Sequence, residues 1–142
     1  MTMKRAYSVL EIKAVDDGEG VITGIATTPS TDRMGDIVEP EGAQFKLPIP
    51  LLWQHDSRQP IGMVERAKVT PAGIEVVARI ARGVSTRIDE AWTLIKSGLV
   101  RGLSIGFNAI ESADIKGTWG VRFIKWEWLE LSAVTIPANS DA

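Results

Sequence analysis

Apolar and polar residues alternate over several short stretches of this chain, which is the pattern of strands that bury one face. Clusters of glycine, proline and acidic residues separate these stretches, for example at 16–20 and 70–73. The pattern predicts strands over residues 6–15, 21–27, 61–69, 74–81, 99–110 and 119–136. A proline-stiffened apolar segment, 47–53, predicts a further strand that begins near Pro50.

One segment has the periodicity of an amphipathic helix instead. Its apolar positions, three and four residues apart, are Ile88, Ala91, Trp92 and Ile95. Thr86 is the predicted N-cap, with Asp89 three positions later in a capping-box-like arrangement. Gly98 is suited to end the helix in the left-handed conformation. We therefore predict one helix near residues 86–97.

Together these elements indicate a mainly β domain with a packed helix. Roughly six to eight strands with regular turn signals are typical of a mainly antiparallel barrel or sandwich. Residues 28–42 are polar, with two prolines and two glycines, and predict a long functional loop or lid. The chain of 142 residues has no internal repeat, so residues 1–142 are predicted to form a single domain.

Composition excludes several classes of function. The net charge of −2 argues against binding nucleic acid by neutralising phosphates. The absence of cysteine excludes disulfides and thiol nucleophiles, and a single histidine leaves no good transition-metal site. The chain contains no phosphate-binding loop for a nucleotide. We expect no cofactor, and no apolar run approaches the ~20 residues of a membrane span. No apolar stretch of a signal peptide follows the N-terminus.

Residues 102–106 read Gly-Leu-Ser-Ile-Gly and fit the GxSxG pattern that exposes a nucleophilic serine. The α/β-hydrolase fold is excluded, because it needs alternating strands and helices and a histidine after the serine. Here the histidine, His55, precedes Ser104. Because triads are defined by geometry and not by chain order, His55 remains a candidate base for Ser104. The residues alone are also compatible with a surface loop histidine and a small strand residue.

Three motifs, in the right order, resemble those of the prohead maturation proteases of tailed bacteriophages, a family related to the herpesvirus assemblins. Residues 53–56 (Trp-Gln-His-Asp) with 60–62 (Pro-Ile-Gly) resemble the histidine motif. Gly98 with 102–107 resembles the serine motif, and 129–139 resembles the final motif. The resemblance covers about the whole chain, and residues 24–26 and 32–36 also match family positions. It implies a small closed β-barrel of the assemblin type surrounded by helices, more than the one helix that the periodicity predicts.

The resemblance also implies Ser104 as nucleophile and His55 as base, and it leaves several acids as candidates for the third member of the triad. Assemblins use a second histidine there, which this chain lacks. Glu130 lies in the matching motif. Strict alternation places on its face Trp126, Trp128, Ser132 and Val134. A buried carboxylate needs a partner, which is either His55 or an arginine at the strand edge. Glu127 and Asp36 are the rival acids.

Each of the remaining candidates has a structural alternative. Arg101, next to the serine motif, either adds positive charge near the site or is a solvated strand-end residue. The tryptophans that either wall the site or belong to the core are Trp53, Trp126 and Trp128. The loop residues that either shape a substrate groove or are simply solvated are Asp32, Arg33 and Asp36.

We therefore predict a serine endopeptidase that cleaves scaffold segments during prohead maturation, with Ser104 as nucleophile, His55 as general base and acid, and Glu130 orienting the histidine. The resemblance implies as substrates either the scaffold domain of the major capsid protein or a separate scaffold protein, and also the protease itself. It places the reaction in the host cytoplasm, inside the assembling prohead, and a homodimer follows by analogy with assemblins. Neither nucleic acid nor membrane is an expected partner. The alternatives are a non-catalytic capsid-assembly scaffold module and a non-peptide esterase.

The C-terminal end of the chain carries one more prediction. Family members usually continue past the final motif into a polar extension that the protease removes from itself. This chain stops at Ala142, three residues after Asn139. We expect Ala142 to be a terminus made by self-cleavage or by an engineered boundary that imitates it, because flexible tails are where proteolysis concentrates.

Overall fold

The structure is a computed structural model that describes residues 4–5, 10–32 and 34–136. Most of these residues lie in strands, as the alternation predicts. The strands are β1 (Lys4–Arg5), β2 (Leu10–Asp16), β3 (Val21–Ile25), β4 (Ile37–Val38), β5 (Ala43–Gln44), β6 (Ile49–Trp53), β7 (Asp56–Thr70), β8 (Gly73–Ile80), β9 (Gly102–Asp114) and β10 (Val121–Val134). They are accompanied by one α-helix, α1 (Thr86–Lys96), and a 3-10 turn, Pro40–Gly42.

Seven of the strands close into a barrel, in the order β9-β2-β3-β8-β7-β6-β10 and back to β9. All neighbouring pairs are antiparallel except β6 with β10, which run parallel. The short strand β1 pairs with β9 in antiparallel fashion, and β4 and β5 pair with β10 in parallel fashion. Closure pairs the strand edges that would otherwise be open. The predicted closed, mainly antiparallel barrel is thus confirmed.

The core fills the barrel with side chains from alternate strand positions. The most deeply buried strand residues include Leu51, Val64, Ile74, Leu103, Ile105 and Leu131. Trp126 is 0% exposed, and its ring packs edge-on against Phe107 with centroids 5.5 Å apart. Trp128 belongs to the same core cluster, and Trp53 packs against it partly buried. The tryptophans are therefore core residues, each burying a large apolar area.

The helix α1 covers the barrel with its apolar stripe, as predicted. The buried residues are Ile88, Ala91, Trp92 and Ile95. The N-cap, however, is Ser85 and not Thr86: the Ser85 hydroxyl accepts the Ile88 N–H at 3.1 Å. Asp89 accepts the N–H of Gly83 at 2.8 Å and not that of the N-cap, and the residue three after Ser85 is Ile88, so the predicted capping box does not form. Gly98 ends the helix at φ +82°, as expected.

The further helices that the resemblance implies are not found among the described residues, where α1 is the single α-helix. Within the same ranges, no helix has both the length and the apolar character needed to cross a bilayer.

The polar segment 28–42 is partly structured. Its residues 37–38 form β4 and pair with β10, and Pro40–Gly42 forms the 3-10 turn. The Asp32 carboxylate accepts the N–H groups of Met34 and Asp36, both at 2.9 Å. Such an Asx arrangement stabilises a tight turn. Arg33, predicted to help shape a groove, lies outside the described residues.

Candidate active site

Ser104 lies on β9, in the part of the barrel where β9 pairs with β10. It is 2% exposed and stands directly opposite Ser132 in the antiparallel register. Leu103 and Ile105, its neighbours along the strand, point into the core. Because strand side chains alternate, Ser104 and Gly106 share the opposite, outer face of the barrel wall.

A β-bulge brings Glu130 to the same outer face. On β10 the pairing passes from Trp128, opposite Phe107, to Glu130, opposite Gly106, so two steps on β10 match one step on β9. The extra residue inverts the alternation. Trp128 therefore faces the core, whereas Glu130 and Ser132 face outward. The predicted common face of Trp126, Trp128, Glu130, Ser132 and Val134 is wrong at this bulge.

His55 reaches the site from the hairpin that joins β6 to β7. Trp53 pairs with Asp56, which leaves Gln54 and His55 as a two-residue turn with φ values of +53° and +60°. Positive φ at both positions is the geometry of a tight hairpin turn, usually built from Asn and Gly. The turn is fixed to the end of β10: Gln54 donates its N–H to the carbonyl of Ala133 at 3.0 Å.

The three side chains form one continuous line of hydrogen bonds. The Nε2 of His55 lies 2.9 Å from the Oγ of Ser104, and its Nδ1 lies 2.6 Å from the Oε1 of Glu130. An ionised carboxylate only accepts, so Nδ1 carries the proton and Nε2 accepts the serine hydroxyl. The His55 and Glu130 side chains are only 10% and 4% exposed. This is the geometry in which a histidine can remove a proton from a serine while a carboxylate stabilises the resulting imidazolium.

Two further residues hold Glu130 in place. The hydroxyl of Ser132 donates to the Oε2 of Glu130 at 2.7 Å and accepts the backbone N–H of His55 at 3.1 Å. Gly106 leaves room for the carboxylate, since a Cβ there would overlap Oε1. The second glycine of the GxSxG pattern thus clears space for the acid. The sequence pattern predicted only that Gly106 helps to expose the serine, and it predicted no role for Ser132, for which the Glu-x-Ser spacing on a strand was the available signal.

The rival acids point elsewhere. The Glu127 carboxylate is exposed and faces the side-chain amide of Asn108 at 3.5 Å. Asp36 accepts the backbone N–H of Val121 at 2.9 Å. Asp56, next to His55 in sequence, pairs with Arg58, and this hydrogen-bonded guanidinium lowers the pKa of the Asp56 carboxyl.

Arg101 also turns away from the site. Its side chain is 57% exposed and lies 3.5 Å from the carboxylate of Glu11. It is the solvated strand-end residue that was one of its two predicted alternatives. Within residues 4–5, 10–32 and 34–136, no three His, Asp or Glu side chains converge in a way that could hold a metal ion.

A pocket of about 570 Å³ lies on the outer face of the β9–β10 pair, and none of the three site side chains lines it. Asn108, the next outward-facing position of β9 after Gly106, lines it together with Phe45 and Lys46. Asn108 stands four residues from Ser104, which is about 13 Å along a strand.

The fold and the site together define a class: a closed β-barrel that carries the serine, histidine and acid constellation of a serine hydrolase. The sequence matches the family described as caudovirus prohead serine proteases over residues 9–142. The chain belongs to this family, as the resemblance of its three motifs predicts.

Two relatives agree with this assignment, and a solved structure shares the fold. The chain is 63% identical over 147 residues to a capsid polyprotein of Pseudomonas phage PAJU2, and 33% identical over 144 residues to the prohead protease of Escherichia phage T5. These alignments cover 100% and 92% of this chain, but only 22% and 66% of the two relatives. The bacteriophage T4 capsid assembly protease has the same fold, with a TM-score of 0.69 and 13% identity, over 96% of this chain and 98% of that structure.

Proposed function

We propose that the chain is a serine endopeptidase that cleaves capsid precursors during prohead maturation. The observation that supports this most directly is the hydrogen-bonded line from Ser104 through His55 to Glu130. Of the four buried polar residues in the described part of the chain, Ser104, Glu130 and Ser132 lie at this one site. Buried polar groups are costly unless they are paired, so their concentration here favours a catalytic role over a purely scaffolding one.

The reaction proceeds through an acyl-enzyme. The Oγ of Ser104 attacks the carbonyl carbon of the scissile bond while its proton passes to the Nε2 of His55. As the tetrahedral intermediate collapses, His55 returns the proton to the leaving amine and the carbon–nitrogen bond breaks. Water then attacks the ester, again losing a proton to Nε2, and Ser104 recovers its hydroxyl. Throughout, the Nδ1 proton stays on His55 and donates a hydrogen bond to Glu130, whose negative charge stabilises the imidazolium.

The substrates we propose are the scaffold domain of the major capsid protein, or a separate scaffold protein, and the protease's own chain. The PAJU2 relative is named a capsid polyprotein and is several times longer than this chain. A protease joined to its substrate meets a cleavage site at high effective concentration, ~mM for a short flexible linker. Cleavage would then take place inside the assembling prohead, in the host cytoplasm. Self-cleavage after Ala142 and a homodimer stay predictions, and Ala142 lies outside the described residues.

The test is to express the chain together with the capsid precursor of its phage and to identify the products by mass spectrometry. The active chain should cut the precursor at defined sites, and Ser104→Ala should leave it intact. Ser112→Ala is the matched control, because Ser112 is an exposed serine on the same strand. Full processing by Ser104→Ala would refute the proposal. Turnover of a small ester without peptide cleavage would favour an esterase, and no turnover at all would favour a scaffold module.

A further inference from the structure

Ser132 is a buried hydroxyl that takes no part in the proton transfers described above. It is 0% exposed and lies on β10, opposite Ser104 and two residues after Glu130. A buried hydroxyl without partners would destabilise the fold, so its hydrogen bonds indicate what it contributes.

The two hydrogen bonds of Ser132 go to the acid and to the base of the site. Its O–H donates to the Oε2 of Glu130 at 2.7 Å, and its Oγ accepts the backbone N–H of His55 at 3.1 Å. A hydroxyl has one donor, and here that donor is committed to the carboxylate. Ser132 thereby connects Glu130 to the His55 backbone by a second route, which does not pass through the imidazole.

Each of the two partners of Ser132 requires stabilisation: the His55 turn because of its backbone conformation, and the Glu130 carboxylate because it is buried. The turn at Gln54 and His55 has positive φ at two residues that are not glycine, a conformation that persists only when neighbouring structure holds it. The Glu130 carboxylate is buried, and Ser132 supplies a hydrogen bond to the oxygen that does not contact the imidazole. One side chain therefore stabilises the position of the base and the orientation of the acid.

We propose that Ser132 is a positioning residue of the active site, which acts through Glu130 and His55 and not by touching the substrate. This inference rests on the proposed function. It assigns to Ser132 the task of keeping the imidazole in the Nδ1–H tautomer, aimed at Ser104. Losing a hydrogen bond to a charged group is expected to cost about 10–100-fold in rate.

The single histidine of the chain makes this directly measurable. Protein labelled with ¹⁵N only in histidine gives the ring signals of His55 alone, without assignment. The active chain should show a protonated Nδ1, with its proton protected in the hydrogen bond to Glu130, and an unprotonated Nε2. In Ser132→Ala the Nδ1 proton should exchange faster with water and the two tautomers should mix. Ser112→Ala, on the exposed part of β9, should leave the spectrum unchanged.

The kinetic test is a double-mutant cycle with Glu130→Gln. Ser132→Ala should lower kcat about 10–100-fold with little change in KM. Because it acts through Glu130, the same substitution should cost less than about threefold when Glu130→Gln is already present. Circular dichroism and thermal unfolding establish that each variant is folded. If Ser132→Ala does not fold, Ser132→Cys retains a side chain of similar size with a weak donor, and should show the same changes in smaller measure.

An unchanged histidine spectrum in Ser132→Ala, or an equal loss in both backgrounds of the cycle, would overturn the inference. The spectrum does not depend on any peptide being cleaved. The expected spectral change in a chain without proteolytic activity would therefore refute the proposed function while leaving the positioning role of Ser132 intact.

Discussion

The two sides of the barrel differ in how often the strand pairing shifts register: away from the site, the pairs β2 with β3 and β7 with β8 shift once each. On the side away from the site, β3 pairs with β8 over five consecutive residue pairs without a register shift. On the site side, the pairing of β9 with β10 shifts register three times, and the neighbouring hairpin turns through two residues with positive φ. Both sides bury apolar side chains, among them Ala78 on β8, Leu103 on β9 and Trp126 on β10. On the site side, a bulge also turns Glu130 to the outer face, whereas strict alternation from Trp128 would have turned it into the core.

This contrast indicates that the regular strand pairs mainly stabilise the fold, whereas the bulge and the strained turn position the side chains of the site. Regular strands bury an unbroken apolar face, and each fully buried aliphatic side chain contributes about 1.5–3 kcal/mol. Bulges and strained turns re-aim single side chains at a cost in stability, and they cluster at functional sites. Substitutions on the two sides should therefore fail in different ways: loss of activity in a folded protein on one side, loss of stability with intact chemistry on the other.

Among the substitutions that test this contrast, Glu130→Gln has the largest expected effect. The shape of the side chain is kept, but the carboxylate that accepts the Nδ1 proton of His55 is lost. The rate of peptide cleavage should fall on the order of 10²–10⁴-fold, while circular dichroism stays unchanged. Glu127→Gln, three residues away on the same strand and exposed, is the matched control and should cleave normally. The opposite ranking would move the acid role to Glu127.

Gly106→Ala tests whether the space left by a missing side chain is part of the site. A Cβ at this position would overlap the Oε1 of Glu130, so the carboxylate must move away from His55. A displacement of about 1 Å can cost on the order of 10²-fold in rate, measured here as kcat for a peptide substrate. Gly18→Ala, whose Cβ would lie 3.4 Å from the nearest neighbouring atom, should have little effect. Normal kcat in Gly106→Ala would mean that the acid tolerates another position.

Ile74→Ala addresses the regular side. Ile74 is 0% exposed on β8, far along the barrel wall from β9 and β10. The cavity should lower the free energy of unfolding by about 2–5 kcal/mol, as measured by denaturant titration. Below the unfolding transition, kcat should stay that of the unchanged protein. A large fall in kcat in the folded variant would show that the two sides are mechanically coupled.

Regular elements were predicted from the sequence, whereas the irregular pairing at the site was not. Alternation and turn residues are local signals, and they predicted most strands, the helix stripe and the turn at Gly98. The bulge beyond Trp128 depends on the pairing of β10 with β9, which no local pattern encodes, so the predicted face of Glu130 was wrong. The N-cap was misplaced by one residue because Ser85 and Thr86 are both capable caps.

The candidate site was predicted by resemblance more than by pattern. Ser104, His55 and Glu130 were selected because three motifs matched a family, and the structure brings the three side chains within hydrogen-bonding distance. Ser132 received no role because a serine on a strand is chemically unremarkable until its neighbours are known. Long-range contacts such as Gln54 with Thr135, separated by 81 positions, are likewise invisible in the sequence.

The smallest expected effect concerns that contact. Gln54 donates its side-chain amide to the Thr135 hydroxyl at 3.0 Å and accepts the Thr135 N–H at 3.3 Å, which fastens the His55 turn to the end of β10. Both Gln54→Ala and Gln54→Gly remove these bonds, but only glycine relieves the left-handed conformation at φ +53°. In denaturant titrations the glycine variant should be about 1 kcal/mol more stable than the alanine variant, the lower end of the cost of that conformation for an L-residue. Both variants should cleave peptide only a few-fold more slowly, because Ser132 still holds the backbone N–H of His55. An alanine variant as stable as the glycine variant would show that the backbone strain at this turn is negligible. The bulge in β10 would then be the one irregularity near the site that costs stability.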